Sequence, residues 1–471
     1  MTSRRHLLAG TAAALVAPLA RPLPVPVSAA QPTPPARPPA VRQSWSNWSE
    51  TERCTPAAWL TPADEAELAD SLRHTSGPLR CTGAGHSFTG LVPTNGTLLS
   101  LHRLNGIVRH DATAQTVTVR AGTRLMMLSR ELDALGLAQH NLPDIDMQSL
   151  AGALSTGTHG TGAQLPALHA HVSGLRLVSP SGQVLSCSTT ERPELLAAAK
   201  VSLGSLGVIT EYDLKVRPRY RLRRKVWVEK TESLIDRAPA LAAQHRQFEM
   251  FVLPFTGYSA GITHDETDLP AQTERAATHD DDTLRDLAKL RDKLKNWPRV
   301  RHWLAQRLID PDDPKLHEDT VDWSWKLLAT TRPIRFNETE GHVPREAGVA
   351  CLKDVVAAIE RHHEAYFPIE FRYVKGDDAW LSPFHGRDSC SIAAHAAFGE
   401  PHDYLLTDLG PIYRRHGARP HWGKLHRYQA AELAAVYPRW KDFQALRRQL
   451  DPQGRLLNAH LSQLFGDTAH G

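Results

Sequence analysis

Cys81-Thr82-Gly83-Ala84-Gly85-His86-Ser87-Phe88 places a histidine at the end of a two-glycine turn that directly follows a short apolar strand. Glycine at positions 83 and 85 removes the Cβ atoms that would keep a pyrophosphate off the backbone, and it permits positive φ angles that turn several N–H groups inward. His86 then stands either beside a bound dinucleotide as a nucleophile or, as is common next to Gly-x-Gly turns, as a hydrogen-bonded turn residue. The spacing excludes the βαβ dinucleotide fingerprint: Phe88 stands where a third glycine is required, and no amphipathic helix follows. A nicotinamide cofactor is therefore disfavoured.

Two further segments belong with this turn. Residues 148–162 (QSLAGALSTGTHGTG) combine four glycines with a run of small hydroxyl residues. Their N–H and hydroxyl groups are donors for phosphate, and their small side chains let backbone pass against an aromatic ring. Ser202-Leu203-Gly204-Ser205-Leu206-Gly207 leads into a strand on which Val208, Thr210, Tyr212, Leu214 and Val216 share one face. Outward from these, Leu98–Leu101 and Thr116–Val119 read as strands, Arg124–Leu135 as a helix capped by Gly136, and Leu175–Ser186 as a hairpin around Ser181-Gly182. This is an α+β pattern rather than a doubly wound one. After Pro218 the composition shifts. Strands are expected at Phe248–Phe255, Ile334–Thr339 and Ile369–Val374, and helices at Leu352–Tyr366 and Ala431–Leu450. Residues of about 264–320 read as a charged helical insertion, with Leu284, Leu287, Leu290 and Leu294 on one side and Pro298 interrupting. The expected organisation is an export signal at 1–30, a Pro-rich linker at 31–44, a first domain at 45–218 and a second at 219–471.

Composition narrows the function. The chain has 471 residues and a net charge of +4 from 55 basic and 51 acidic side chains, so no field for nucleic acid is implied. Its five cysteines are scattered without a Cys-x-x-Cys pair, and its 25 histidines include no His-Glu-x-x-His, so no metal site is expected. At the N-terminus, Arg4-Arg5 precedes an apolar run broken by Pro18, and Ser28-Ala29-Ala30 offers a cleavage site. This is the pattern of a twin-arginine signal, with a periplasmic or secreted destination and membrane association at most peripheral.

Candidate chemistry lies in the second domain. Glu370 and Arg372 are two apart on a strand and so share a face, where they could bind hydroxyls or a carbonyl together; an ion pair internal to the domain fits the same pattern. In His421-Trp422-Gly423-Lys424, glycine lets the chain approach a ring system and the lysine reach an oxygen. His395 is a polar residue in the apolar run Ile392-Ala393-Ala394-His395, where a satisfied core histidine is the other reading.

Gly-Ala-Gly-His-Ser at 83–87, Ser-Thr-Gly-Thr-His-Gly-Thr-Gly at 155–162, Ser-Leu-Gly-Ser-Leu-Gly-Val-Ile at 202–209 and His-Trp-Gly-Lys at 421–424 resemble, in order, the motifs of aldonolactone oxidases. That family includes the gulonolactone, arabinonolactone and alditol oxidases. The resemblance runs from Trp45 almost to the C-terminus. It implies a vanillyl-alcohol-oxidase-type fold, a PCMH-type FAD-binding domain at 45–218 followed by an α+β substrate domain at 219–471. It also implies FAD bound covalently through His86. Thr82, Gly83, Ala84, Gly85 and Ser87 would surround the cofactor, with Ser149, Gly152, Thr156, Thr158 and His159 from the glycine-rich segment, Gly207 and Ile209, and His421 and Lys424. Lys424, Glu370, Arg372 and His395 would carry the oxidation of a CH–OH group, with hydride passing to flavin N5. Oxygen, giving peroxide, or another respiratory acceptor would then remove the electrons. Pro143 falls where relatives place a residue gating oxygen access, and it favours an oxidase. Asp144 and Ala397, where alditol oxidases have serine and threonine, favour a lactone or related sugar over simple alditols. A dehydrogenase feeding a quinone or cytochrome, and a non-catalytic carbohydrate-binding protein on the same fold, are the competing readings.

Overall fold

The structure is a computed structural model that describes residues 43–272, 289–294, 316–329 and 334–467, with a few positions between 296 and 307. The expected signal, most of the linker and most of the 264–320 insertion lie outside the described residues. These described residues belong to one compact unit.

The first half is built on two sheets. A parallel sheet orders Ala58–Leu60, Thr97–Ser100 and Leu79–Thr82, and an antiparallel sheet orders Val184–Ser188, Val172–Val178, Val208–Lys215, Thr116–Arg120 and Ile107–Asp111. Alternation decides the faces: Val208, Tyr212 and Leu214 are buried with Leu175, Leu177, Val117 and Val119 in one core. Each such side chain contributes about 1.5–3 kcal/mol by leaving water. Arg80 fixes the approach to the Gly83 turn. Buried to 3% exposure, its guanidinium donates to the carbonyls of Leu91 (2.8 Å), Leu203 (2.8 Å), Gly204 (3.2 Å) and Leu456 (2.6 Å). One side chain thereby ties the strand, the 202–207 loop and the C-terminal segment together.

The second half centres on a nine-stranded sheet. Its order is Leu316–Trp323, Arg221–Lys230, Tyr258–Glu266, Gln247–Leu253, Ile369–Lys375, Ser389–Ala397, Phe336–Pro344 and Arg419–Pro420, with Gly162–Pro166 joining Ile369–Lys375 in parallel. One face of this sheet is packed: Phe248, Met250, Phe371, Tyr373, Ile392 and Ala394 meet apolar residues of the helices Thr231–Gln244 and Gly348–Ile359. The opposite face looks into the space between the halves. Both ends of the expected 264–320 insertion fall inside strands of this sheet, and the described residues 289–294 are helical.

Three expectations need adjustment. The Ala431–Leu450 helix is two helices, Ala430–Val436 and Trp440–Leu450, because Pro438 cannot continue the first. The Leu352–Tyr366 helix runs instead from Gly348 to Ile359; beyond it His362 hydrogen-bonds Asp408 at 2.9 Å in a turn. The chain also does not stay in the second half to its end. Trp422, Tyr437, Trp440, Phe443 and Phe465 belong to the core of the first half, with Trp422 and Tyr437 stacked at 5.0 Å.

Candidate active site

Between the two halves lies a cavity of about 1250 Å³. That exceeds the roughly 300–1,000 Å³ of a pocket for one small ligand. Every cofactor and catalytic residue singled out from the sequence lines it, from Thr82–Ser87 and Pro143-Asp144 through Ser149, Gly152, Thr156, Thr158 and His159 to Gly207, Ile209, Glu370, Arg372, His395, His421 and Lys424.

The first-half wall fits a dinucleotide. A Cβ at Gly83 would fall on Ser149 Oγ, and Gly85 has φ +72, so both glycines are needed where the turn approaches the glycine-rich segment. Thr82 Oγ1 is buried with no hydrogen-bond partner, a donor left over for an absent acceptor. His86 stacks on Trp48 with ring centroids 5.5 Å apart. Burial, then the positive charges of Arg124 and Lys424, push its pKa down to about 4, leaving a neutral imidazole at neutral pH.

The opposite wall is the open face of the nine-stranded sheet, and strand register arranges its charges. Successive residues two apart share this face: Glu338, Glu340 and His342 on one strand, Ser391, Ala393 and His395 on the next, then Glu370 and Arg372, then Glu249. His395 is paired in register with Glu338, and Arg372 with both Ser391 and Glu249. The 421–425 segment is sewn onto the edge: His421 N donates to Glu340 O (3.1 Å) and Leu425 N to Glu338 O (2.8 Å). Lys424 is thereby delivered to the Glu338 carboxylate, with which it forms an ion pair.

An ionic chain results. Lys424 pairs with Glu338; His395 Nε2 lies 3.5 Å from Glu338 and 4.0 Å from Glu370; Arg372 bonds Glu370 (2.8 Å) and Glu249 (2.9 Å), with Asp144 at 4.0 Å. Burial opposes ionisation of Glu338, yet Lys424 and His395 hold its pKa down to about 2. Burial likewise opposes a charge on His395, but the carboxylates of Glu338 and Glu370 outweigh it and raise the pKa. Burial dominates at Glu249 and raises its pKa despite Arg372. His395 Nδ1 faces the Pro368 carbonyl at 3.3 Å, which fixes it as the N–H side and leaves Nε2 toward the cavity carboxylates.

Glu338, Glu340, Glu249 and His342 escaped the sequence reading. The signal was present in Phe336-Asn-Glu-Thr-Glu-Gly-His342, where ionisable side chains recur at every second position of a strand. His159 and His421, expected around a cofactor, also meet Glu340: His159 Nε2 lies 3.0 Å from it and Ser391 donates to it. No metal set was expected from spacing, but folding gathers two trios with ligand-capable atoms within 4.8 Å, His159-Glu340-His421 and Glu338-Glu370-His395. In the second, Lys424 and Arg372 already neutralise the carboxylates.

Comparison with known proteins agrees with this architecture. Residues 56–188 match the FAD binding domain family and residues 212–464 the D-arabinono-1,4-lactone oxidase family. The chain is similar to the L-gulono-1,4-lactone dehydrogenase of Mycobacterium tuberculosis, 34% identical over 430 residues that cover 90% of this chain and 99% of that one. It is also similar to the L-gulonolactone oxidase of Bos taurus, 28% identical over 439 residues, 89% of this chain and 98% of that one. Among solved structures, a solvent-stable cholesterol oxidase superposes with a TM-score of 0.73 at 19% identity over 90% of this chain and 97% of that one, a likeness of fold.

Proposed function

This chain belongs to the D-arabinono-1,4-lactone oxidase family and is an FAD-dependent oxidoreductase acting on CH–OH donors; from that premise we propose that it oxidises an aldono-1,4-lactone or a related sugar or polyol at the ionic wall. The observation that carries this reading is the row Lys424–Glu338–His395–Glu370–Arg372 facing the same cavity as the His86 turn.

Thr82–Ser87, residues 148–162 and Gly207–Ile209 would hold FAD, with the neutral ring of His86 as its point of attachment. When bound, FAD supplies the hydride acceptor. Arg372 and Glu370 orient the substrate's oxygens, one donating and the other accepting. His395 is the base: its Nδ1–H is anchored on Pro368, its Nε2 receives the hydroxyl proton, and the flanking carboxylates stabilise the imidazolium that forms. Lys424 and Arg372 place positive charge beside the oxygen as its proton leaves. Oxygen is the favoured acceptor given Pro143, with a quinone or cytochrome the alternative that the dehydrogenase name of the mycobacterial relative keeps open. Export through residues 1–30 would deliver the loaded protein outside the cytoplasm; a reporter fused to that segment should leave the cytoplasm, and one retained there would refute export. No helix of the described residues is long and apolar enough to cross a membrane. A panel of aldonolactones, alditols and sugars, scored for peroxide in air and for reduction of added cytochrome or quinone without it, tests substrate and acceptor together. Turnover of a lactone or polyol is expected; inertness of the whole panel with the flavin-loaded protein would refute the reading.

A further inference from the structure

The cavity wall changes character along the sheet. The charged row that ends at Glu370 meets Phe251 in register, while Glu249, His264, Arg224 and Glu318 continue a polar border beside it. Beyond it the same face carries Phe251 and Leu253, then Ala260 and Ile262, then Val226 and Val228, with Phe251 opposite Ala260, Ala260 opposite Val228, and Ile262 opposite Val226. All six line the cavity. Five of them are only half-buried, Ile262 being the exception. Apolar side chains inside a fold are ordinarily packed at near-crystalline density, and here they border open volume.

A sugar lactone or a short polyol leaves this region without a use. It is compact, its surface is nearly all hydroxyl and carbonyl, and the Glu370–Arg372 end satisfies those groups. Water resting against an apolar lobe is displaced favourably by an alkyl or aryl group, at roughly 25 cal/mol per Å². The cavity also exceeds the size of a pocket for one ligand, so the dinucleotide cradle and a second, elongated molecule can share it.

We infer that the substrate is a lactone or polyol that carries an alkyl or aryl body, with its oxygen-bearing head at Glu370, Arg372 and His395 and that body in the lobe lined by Val226, Val228, Phe251, Leu253, Ala260 and Ile262. This deepens the proposed function and rests on it for the position of the head. The register sets the geometry: Phe251 adjoins Glu370 across one strand gap, about 5 Å, so the apolar body begins within a carbon or two of the oxidised centre.

The test uses alkane-1,2-diols from propanediol to decanediol, mixed anaerobically with the flavin-loaded protein so that no acceptor takes part, with flavin reduction as the readout. The second-order rate constant is expected to rise about fourfold per methylene over the first few carbons and then level off as the lobe fills. Ala260→Trp fills the lobe from its centre; it should abolish the rise and leave propanediol unchanged, and Val228→Phe provides the same test if the first variant does not fold. Calorimetry with tertiary 2-methyl-2-alkanols, which have no carbinol hydrogen to lose, should show affinity growing with chain length and a negative heat-capacity change in wild type only. A flat chain-length profile while lactones or polyols reduce the flavin overturns this inference and leaves the proposed function standing. A gain confined to reoxidation by long-chain quinones overturns it as well, by assigning the lobe to the acceptor. Reduction by long diols but by no lactone or alditol supports the lobe and removes the sugar head from the proposed function.

Discussion

Replacing Glu338 by glutamine tests the assignment of His395 as base. The substitution keeps shape and hydrogen-bonding atoms but removes one of the two negative charges facing Nε2, the one at 3.5 Å. At an effective dielectric near 20, a unit charge at that distance contributes about 5 kcal/mol, equivalent to ~3.5 pH units. This is an upper bound: Glu370 remains at 4.0 Å and rearrangement recovers part of the loss. A downward shift of about 1–2 units is expected, the usual size for a neighbouring opposite charge. Lys424, deprived of its partner, repels the imidazolium and acts in the same direction. A base must be free to act, so kcat/KM in wild type should fall on the acid side through a pKa above the ordinary 6.5 of histidine. In Glu338→Gln that limb should move to lower pH while the plateau drops, because a less basic imidazole is a weaker proton acceptor. Stopped-flow flavin reduction across about pH 5 to 9 reads both quantities, and Glu338→Asp, which keeps the charge, should retain the wild-type limb. An acid limb that stays in place in Glu338→Gln would refute the role of His395.

Other consequences are simpler to read. His86→Ala should release the flavin into the supernatant on acid precipitation, where wild type keeps it with the pellet; release from wild type would make His86 a contact only. Gly83→Val should give folded protein with little bound flavin, because its side chain would meet Ser149 Oγ; unchanged loading would show that the turn does not hold the cofactor. Arg80→Met should cost at least ~3 kcal/mol by stranding buried carbonyls of three segments, seen as a lowered denaturant midpoint. Stability should also fall on acidification. Burial holds His264, His421 and His426 near pKa 3, so the unfolded chain binds protons below about 6.5 that the folded one refuses. Each removes up to ~1.4 kcal/mol per pH unit between 6.5 and about 3, and a melting temperature constant from pH 7 to 4.5 would contradict this.

What could be read in advance was local chemistry. The Gly83-Ala84-Gly85-His86 turn, the 148–162 segment and Lys424 after Gly423 announce themselves because a close backbone approach needs small residues at adjacent positions. The Glu370/Arg372 face was legible from strand periodicity alone. The partners were not, since Glu338 meets His395 and Glu340 meets His159 only after strands distant in sequence pair in one particular register. The return of the chain after Trp422 to the first core was hidden for the same reason. Its aromatic residues look alike whichever core they enter, and only the packing of Trp422 on Tyr437 and Trp440 decides. The polarity change across the sheet at Phe251 and Glu370 likewise appears only when neighbouring strands are set side by side.

The most direct measurement is anaerobic mixing of the purified, flavin-loaded protein with an aldono-1,4-lactone or polyol while the long-wavelength flavin band is followed. Bleaching of that band is expected in wild type, and Lys424→Met and Arg372→Met should slow it by at least about a hundredfold each, as expected for loss of transition-state charge stabilisation. Bleaching at the wild-type rate in both variants would contradict the assignment of chemistry to the charged face of the sheet, as would a bound flavin that no CH–OH compound reduces.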